Sequence, residues 1–180
     1  PDGKGLSGTE YGTFLLWEGI FVKAHLMIEE KNICHEGPIE YMQWDSMQGK
    51  FLPNFTEKYT EEATAKIRSE NRNNEEDYFE NQEINNRINE LISKIVIPER
   101  VNCVLTGGHD GYLRWWIHSD IENAQGDDNS IAYIRPMVEK FLENPETKQP
   151  VKIINLIKNE NFWVVQDANS FLLKLDFIFP

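Results

Sequence analysis

Three stretches of the chain repeat one alternation of apolar and polar positions. Leu6-Ser7-Gly8-Thr9-Glu10-Tyr11-Gly12-Thr13-Phe14-Leu15-Leu16-Trp17-Glu18 is the first, Leu105 to Ile117 the second, and Val164 to Asp176 a degenerate third. In each, an apolar run enters a small-polar turn and a second apolar run leaves it, which is the pattern of a β-hairpin. Gly12, Gly111 and Ser170 hold the same place in the three turns, where a tight hairpin needs positive φ. Each second run ends on Trp17, Trp116 or Leu175. Further strands are predicted over Ile20–Ile28, Pro38–Trp44, Val151–Ile157 and Phe162–Val165. Ile131–Leu142 carries Pro136, and a proline inside such a run places it at a sheet edge with a bulge.

Sequential antiparallel strands in groups of four build the blades of a β-propeller, at about 40–45 residues per blade. Gly111 and Ser170 lie 59 positions apart, but Gly12 and Gly111 lie 99 apart, so an insertion is expected in the longer interval. Residues 54–98 fit it, because they are rich in Glu, Asn, Lys and Arg and contain no Gly. Phe55, Tyr59, Ala63 and Ile67 could line one helix over 56–69. Ile84, Ile88, Leu91, Ile92 and Ile95 fall at helical spacing, and Pro98 stops that helix. This stripe is a candidate partner-binding surface; packing against the chain's own propeller or the first helix is the plainer reading. Glu75-Glu76-Asp77 with Glu80 and Glu83 could form an acidic docking patch; a solvated linker between helices is the plainer reading. The fold class expected is all-β: about two and a half blades of a WD40-type β-propeller with an α-helical insertion. The units are 1–19 (the end of one blade), 20–130 (a blade containing the 54–98 insertion) and 131–180 (an outer strand and a degenerate final blade).

Charge and composition narrow the function. Thirty acidic against 18 basic residues leave a formal charge of −12. That repels nucleic acid and anionic membranes as main partners. Tubulin surfaces are acidic as well, so direct tubulin contact would need a local basic patch that the sequence does not display. Cys34 and Cys103 are expected to be free thiols in a reducing compartment. No apolar run reaches membrane-spanning length, no signal peptide is read, and the Gly-rich opening looks like the middle of a longer polypeptide. Asn54-Phe55-Thr56 fits a glycosylation triplet that occurs often by chance. Zinc ligation by Cys34, His35, Cys103, His109 and His118 lacks the usual close spacing. Asp127-Asp128-Asn129 lacks the glycine and closing glutamate of a calcium loop. His109 and Asp110, adjacent on a tight turn, are expected to point apart, which argues against an acid–base pair. No catalytic residue, metal or cofactor is expected.

Cys34-His35-Glu36-Gly37-Pro38-Ile39 resembles the Gly-His loop that precedes a blade in the WD-repeat family. Thr106-Gly107-Gly108-His109-Asp110-Gly111-Tyr112-Leu113-Arg114-Trp115-Trp116 resembles the second half of that repeat. The resemblance implies a structural tetrad of His35, Thr106, Asp110 and Trp116, in which Asp110 accepts from His35, the other imidazole nitrogen meets Thr106, and Thr106 accepts from Trp116. Ser7, Tyr11 and Trp17 in the first unit, and Asn169 and Leu175 in the last, stand at degenerate tetrad positions. Leu16-Trp17-Glu18-Gly19, the Cys34–Glu40 loop and Phe162–Asn169 running on to Asp176 are similar to one axonemal branch, the cilia- and flagella-associated protein 44 family. That similarity implies WD-repeat propellers followed by coiled coils, in a cilium or flagellum axoneme. The role implied is a scaffold in a tether complex linking inner-arm dynein motor heads to the doublet microtubule, with tether-complex subunits and dynein as partners. The alternatives are a propeller subunit of an intraflagellar transport or coat assembly, or a WD-repeat adaptor that binds peptides.

Overall fold

The computed structural model describes residues 3–48, 99–159 and 162–176, together with Asn86 and Glu90. The chain divides into two compact units, one of Pro1–Met47 with Val101–Pro180, the other Gln48–Arg100. Asn86 and Glu90 in the second unit are helical and exposed. The predicted stripe of Ile84, Ile88, Leu91, Ile92 and Ile95, and the helix over 56–69, lie outside the described residues.

The first unit is built from strands β1 (Lys4–Gly8), β2 (Phe14–Glu18), β3 (Phe21–Met27), β4 (Ile39–Gln48), β5 (Arg100–Gly108) and β6 (Tyr112–Ile117), then helix α1 (His118–Glu122). Strands β7 (Ile131–Tyr133), β8 (Val138–Phe141), β9 (Ile153–Lys158), β10 (Trp163–Asp167) and β11 (Leu172–Leu175) follow. They form three sheets, ordered β1-β2-β3-β7, β4-β5-β6-β8 and β11-β10-β9. The three predicted hairpins are β1–β2, β5–β6 and β10–β11, all antiparallel. Their turns carry positive φ at Gly12 (81°), Gly111 (81°) and Ser170 (65°), as the repeat predicts. The all-β expectation is borne out. The three sheets do not close into a propeller.

In the middle sheet the inner strands β5 and β6 are buried on both faces over most of their length, and period two explains how adjacent tryptophans are both buried there. Trp116 meets Phe14 of the first sheet edge-on, ring centroids 5.1 Å apart. Trp115, on the other face, lies 6.1 Å from Trp163 of the third sheet. A strand covered on both sides reads as a nearly continuous apolar run rather than an alternating one, which describes Leu113–Ile117 apart from the buried Arg114. The core between the first two sheets gathers Phe14, Leu16, Ala24, Leu26, Cys34, Val104 and Trp116. Burial pushes the free thiols of Cys34 and Cys103 up to about 12.

Two expectations need correction. The run Ile131–Leu142 is not one bulged outer strand. It breaks around Pro136 into β7, which pairs in parallel with β3 of the first sheet, and β8, which pairs with β6 of the second. A proline has no N–H to continue a ladder, and here the chain changes sheets at that point. The boundaries at 19/20 and 130/131 therefore do not follow the sheets, since β3 and β7 both complete the first one.

Candidate functional site

The second sheet and the loop before it converge on one buried polar chain. Gly12 shapes the loop. Its carbonyl accepts from the backbone N–H groups of Cys34 (2.6 Å) and His35 (2.9 Å). A Cβ on Gly12 would fall 1.8 Å from the His35 carbonyl oxygen, so this contact tolerates only glycine. Gly108 does the same beneath the imidazole, where a Cβ would stand 2.4 Å from His35 Nδ1.

His35, Thr106, Asp110 and Trp116 are brought together by hydrogen bonds. His35 Nδ1 lies 2.9 Å from Asp110 Oδ1, and His35 Nε2 lies 2.8 Å from Thr106 Oγ1. The Trp116 indole N–H donates to the same Thr106 oxygen at 2.9 Å. One proton arrangement serves these four: Nδ1–H donates to the carboxylate, the Thr106 hydroxyl donates to Nε2, and Trp116 donates to Thr106; Arg114 Nη1, which also lies 2.8 Å from His35 Nδ1, then donates to Asp110 rather than to the ring. The imidazole and the Thr106 hydroxyl are buried, so each bond replaces one that water supplied in the unfolded chain.

Asp110 is the hub. Besides His35 it accepts from the backbone N–H of Tyr112 (3.2 Å), the backbone N–H of Glu36 (3.1 Å) and Arg114 Nη1 (2.6 Å). Burial alone would raise the Asp110 pKa. The hydrogen bond and charge of His35, followed by those of Arg114, outweigh it and hold the carboxyl well below the usual range. Burial is also the largest influence on His35. Together with the nearby Arg114 charge it outweighs Asp110 and lowers the imidazole pKa below its ordinary 6.5, so the ring is neutral at pH 7.

Arg114 is the member that sequence reasoning missed. It is 2% exposed. Its Nε donates to Glu139 Oε2 at 2.9 Å, and its guanidinium lies 4.3 Å from the centre of the Tyr112 ring. A charged residue between Leu113 and Trp115, four positions after Asp110, was the available signal. Its pairing with Glu139, directly opposite on β8, depends on a register that the sequence leaves open.

The degenerate positions separate into three outcomes. Trp17 Nε1 donates to Ser7 Oγ at 2.8 Å, so the Trp–hydroxyl end of the chain exists in the first sheet. Tyr11 is 75% exposed and joins no such chain. In the third sheet, Asn169 is exposed and Leu175 pairs with Trp163 across the ladder. The carboxylate that ties loop to turn there is Asp167, two positions before Asn169. Its Oδ2 accepts from Lys152 N–H (2.8 Å) and its Oδ1 from Asn169 N–H (2.6 Å).

The residues weighed for other chemistry go elsewhere. His109 Nε2 lies 3.3 Å from Glu40, while Asp110 faces His35, so the adjacent pair does point apart. His118 packs edge-on against Trp44 and lies 3.3 Å from Glu122. Asp127 Oδ1 accepts from the backbone N–H groups of Asn129 and Ile131 and so shapes its own loop. Among the described residues, no three His, Cys, Asp or Glu side chains group as metal ligands would.

Fold and site thus define an all-β protein whose central sheet is locked to its entry loop by a fully satisfied polar chain. No known family profile matches it. The similarity to cilia- and flagella-associated protein 44 is borne out by three relatives of that name. The chain is 28% identical to the one from Mus musculus over 184 residues, 99% of the chain and 7% of the relative. The relative from Trypanosoma brucei brucei is 22% identical over 179 residues, 99% of the chain and 8% of the relative. The relative from Chlamydomonas reinhardtii is 49% identical over 45 residues, 25% of the chain and 3% of the relative. The chain therefore spans less than a tenth of the length of the curated relatives it matches.

Proposed function

We propose that this chain is part of a WD-repeat β-propeller and works as a scaffold of the ciliary or flagellar axoneme. In this reading it serves the tether that links inner-arm dynein motor heads to the doublet microtubule. The names of the three relatives support the cilium or flagellum as its place. Stacked sheets of four, four and three strands, the second and third each entered through a loop clamped to a hairpin turn, support the propeller.

The observation that carries the scaffold reading is the saturation of the polar site. Thr106, His35 and Asp110 follow the hydrogen-bond order of a hydrolase triad, with hydroxyl to Nε2 and carboxylate to Nδ1. Burial argues against that use. Thr106 is 0% exposed and its oxygen already accepts from Trp116, so no substrate carbonyl can approach it. The same bonds instead fasten loop, turn and two strands, which suits a rigid platform and not an enzyme.

Replacing the endogenous gene in a flagellated cell by a version with Trp116→Ala and Asp110→Ala tests this reading. Electron cryotomography of the axonemes is expected to show loss of density beside the inner-arm dynein heads, with the doublets intact. Unchanged density with the altered protein absent from the axoneme would overturn the tether role. Tagged protein found mainly with moving transport trains would favour the transport-scaffold alternative instead.

A further inference from the structure

Among the described residues the first sheet lacks the polar lock of the second, yet Phe14, Ala24 and Leu26 in its core are fully buried. Among its described residues, the only part of the chain is the Trp17–Ser7 bond. What it has instead is a strand lent from elsewhere. After β6 the chain leaves the second sheet, forms α1, and adds β7 in parallel to β3, pairing His25 with Ile131, Leu26 with Ala132 and Met27 with Tyr133. His25 N–H donates to the Ser130 carbonyl at 2.7 Å and Ile134 N–H to the Met27 carbonyl at 2.9 Å. Ile121 of α1, Ala132 and Ile134 are 1%, 4% and 6% exposed and share the core of Phe14, Leu16, Ala24 and Leu26. Ile121 thus ties the segment that follows β6 to the first sheet's core.

The return is abrupt. Met137 N–H donates to the Trp115 carbonyl at 2.7 Å, which is already the second sheet. The last bond to one sheet and the first bond to the next are thus three residues apart, a span of about 10 Å at full extension. The sheets cannot part at their outer edges without breaking one ladder or the other. The far end is prepared as well. Asp127 Oδ1 and the Asp127 N–H, which donates to the Ile131 carbonyl at 2.8 Å, hold the loop that delivers β7. Lys23 Nζ reaches the Glu122 carbonyl, at the end of α1, at 3.5 Å.

We propose that residues 118–137 are a latch fastening the first sheet to the second at their outer edges. This latch, rather than a buried polar chain, sets how readily the first sheet opens. The proposal stands on the β3–β7 ladder and does not depend on the axonemal reading.

Hydrogen exchange followed by mass spectrometry on the full chain tests it. Ile134→Pro removes the N–H bonded to Met27 and keeps an apolar side chain. Exchange over Phe14–Met27 is expected to accelerate about tenfold or more, while β9 to β11 keep their rates. In a second variant, His25→Cys with Ile131→Cys joins directly paired positions, a separation that a disulfide can bridge. Oxidation is expected to slow exchange over Phe14–Glu18 relative to the same variant reduced. Fast exchange at 131–134 with Phe14–Met27 at the unmodified rate would overturn the latch, as would an oxidised crosslink with no effect. If Ile134→Pro fails to fold, the crosslink decides alone.

Discussion

Thr106→Val is the sharpest perturbation of the buried chain, because it changes chemistry and almost no shape. Thr106 Oγ1 serves two neighbours, donating to His35 Nε2 at 2.8 Å and accepting from Trp116 Nε1–H at 2.9 Å. Valine fills the same space and offers neither bond. Two buried polar groups are then stranded. Each costs about 1–3 kcal/mol when left unpaired, and since both sit in one network the combined loss is about 2–5 kcal/mol rather than a strict sum. In urea, with a slope of about 1–3 kcal/mol per molar, the midpoint should fall by roughly 1–2 M. Adding Trp116→Phe removes one stranded donor, so the double variant should lose less than the two single losses added together. Ser7→Ala is the comparison in the first sheet. It strands only the half-buried Trp17 indole and should cost about 1 kcal/mol or less. A loss below about 0.5 kcal/mol for Thr106→Val, the size of an ordinary surface change, would refute the claim that this chain is desolvated and structural.

Four further outcomes follow from the same geometry. His35 has a lowered pKa in the fold, so the unfolded chain binds more protons once the pH drops below the ordinary 6.5. Stability should therefore fall from pH 6.5 toward pH 5, by at most about 1.4 kcal/mol per pH unit for this group; His35→Gln should flatten that slope in pH-dependent urea melts. Asp110, held low as well, adds its loss only below its ordinary 3.8. Arg114→Met leaves Asp110 and Glu139 without their shared cation and should cost about 3–5 kcal/mol in thermal or denaturant unfolding. Gly108→Ala should displace the imidazole, read as a changed His35 side-chain signal in NMR together with a loss of about 1–3 kcal/mol. Asp167→Ala should cost about 1–2 kcal/mol and speed amide exchange at Lys152 and Asn169, with the second sheet unaffected.

Local chemistry was legible and long-range pairing was not. The turns at Gly12, Gly111 and Ser170 were readable because positive φ is demanded by a few neighbouring residues. His35, Thr106, Asp110 and Trp116 were readable because a family motif stores a spatial arrangement as a spacing. Glu139 was not, since its place opposite Arg114 is a matter of register between strands separated by α1 and β7. Asp167 escaped for a similar reason: the motif pointed to the turn position of Asn169, while a carboxylate on the strand end reached both the loop and the turn.

From the sequence alone came the three hairpins, the all-β class, the polar tetrad as a set of names, and the resemblance to an axonemal protein. These rest on short-range sterics, on period-two burial and on motif. Only the tertiary structure decided that Pro136 marks a change of sheet, that Ile121 belongs to the first sheet's core, and that Arg114 is buried among carboxylates. Each of those depends on which strands share an edge. Strand pairing is selected by the burial of whole faces and the satisfaction of every backbone N–H and C=O at once, which no local stretch of residues specifies.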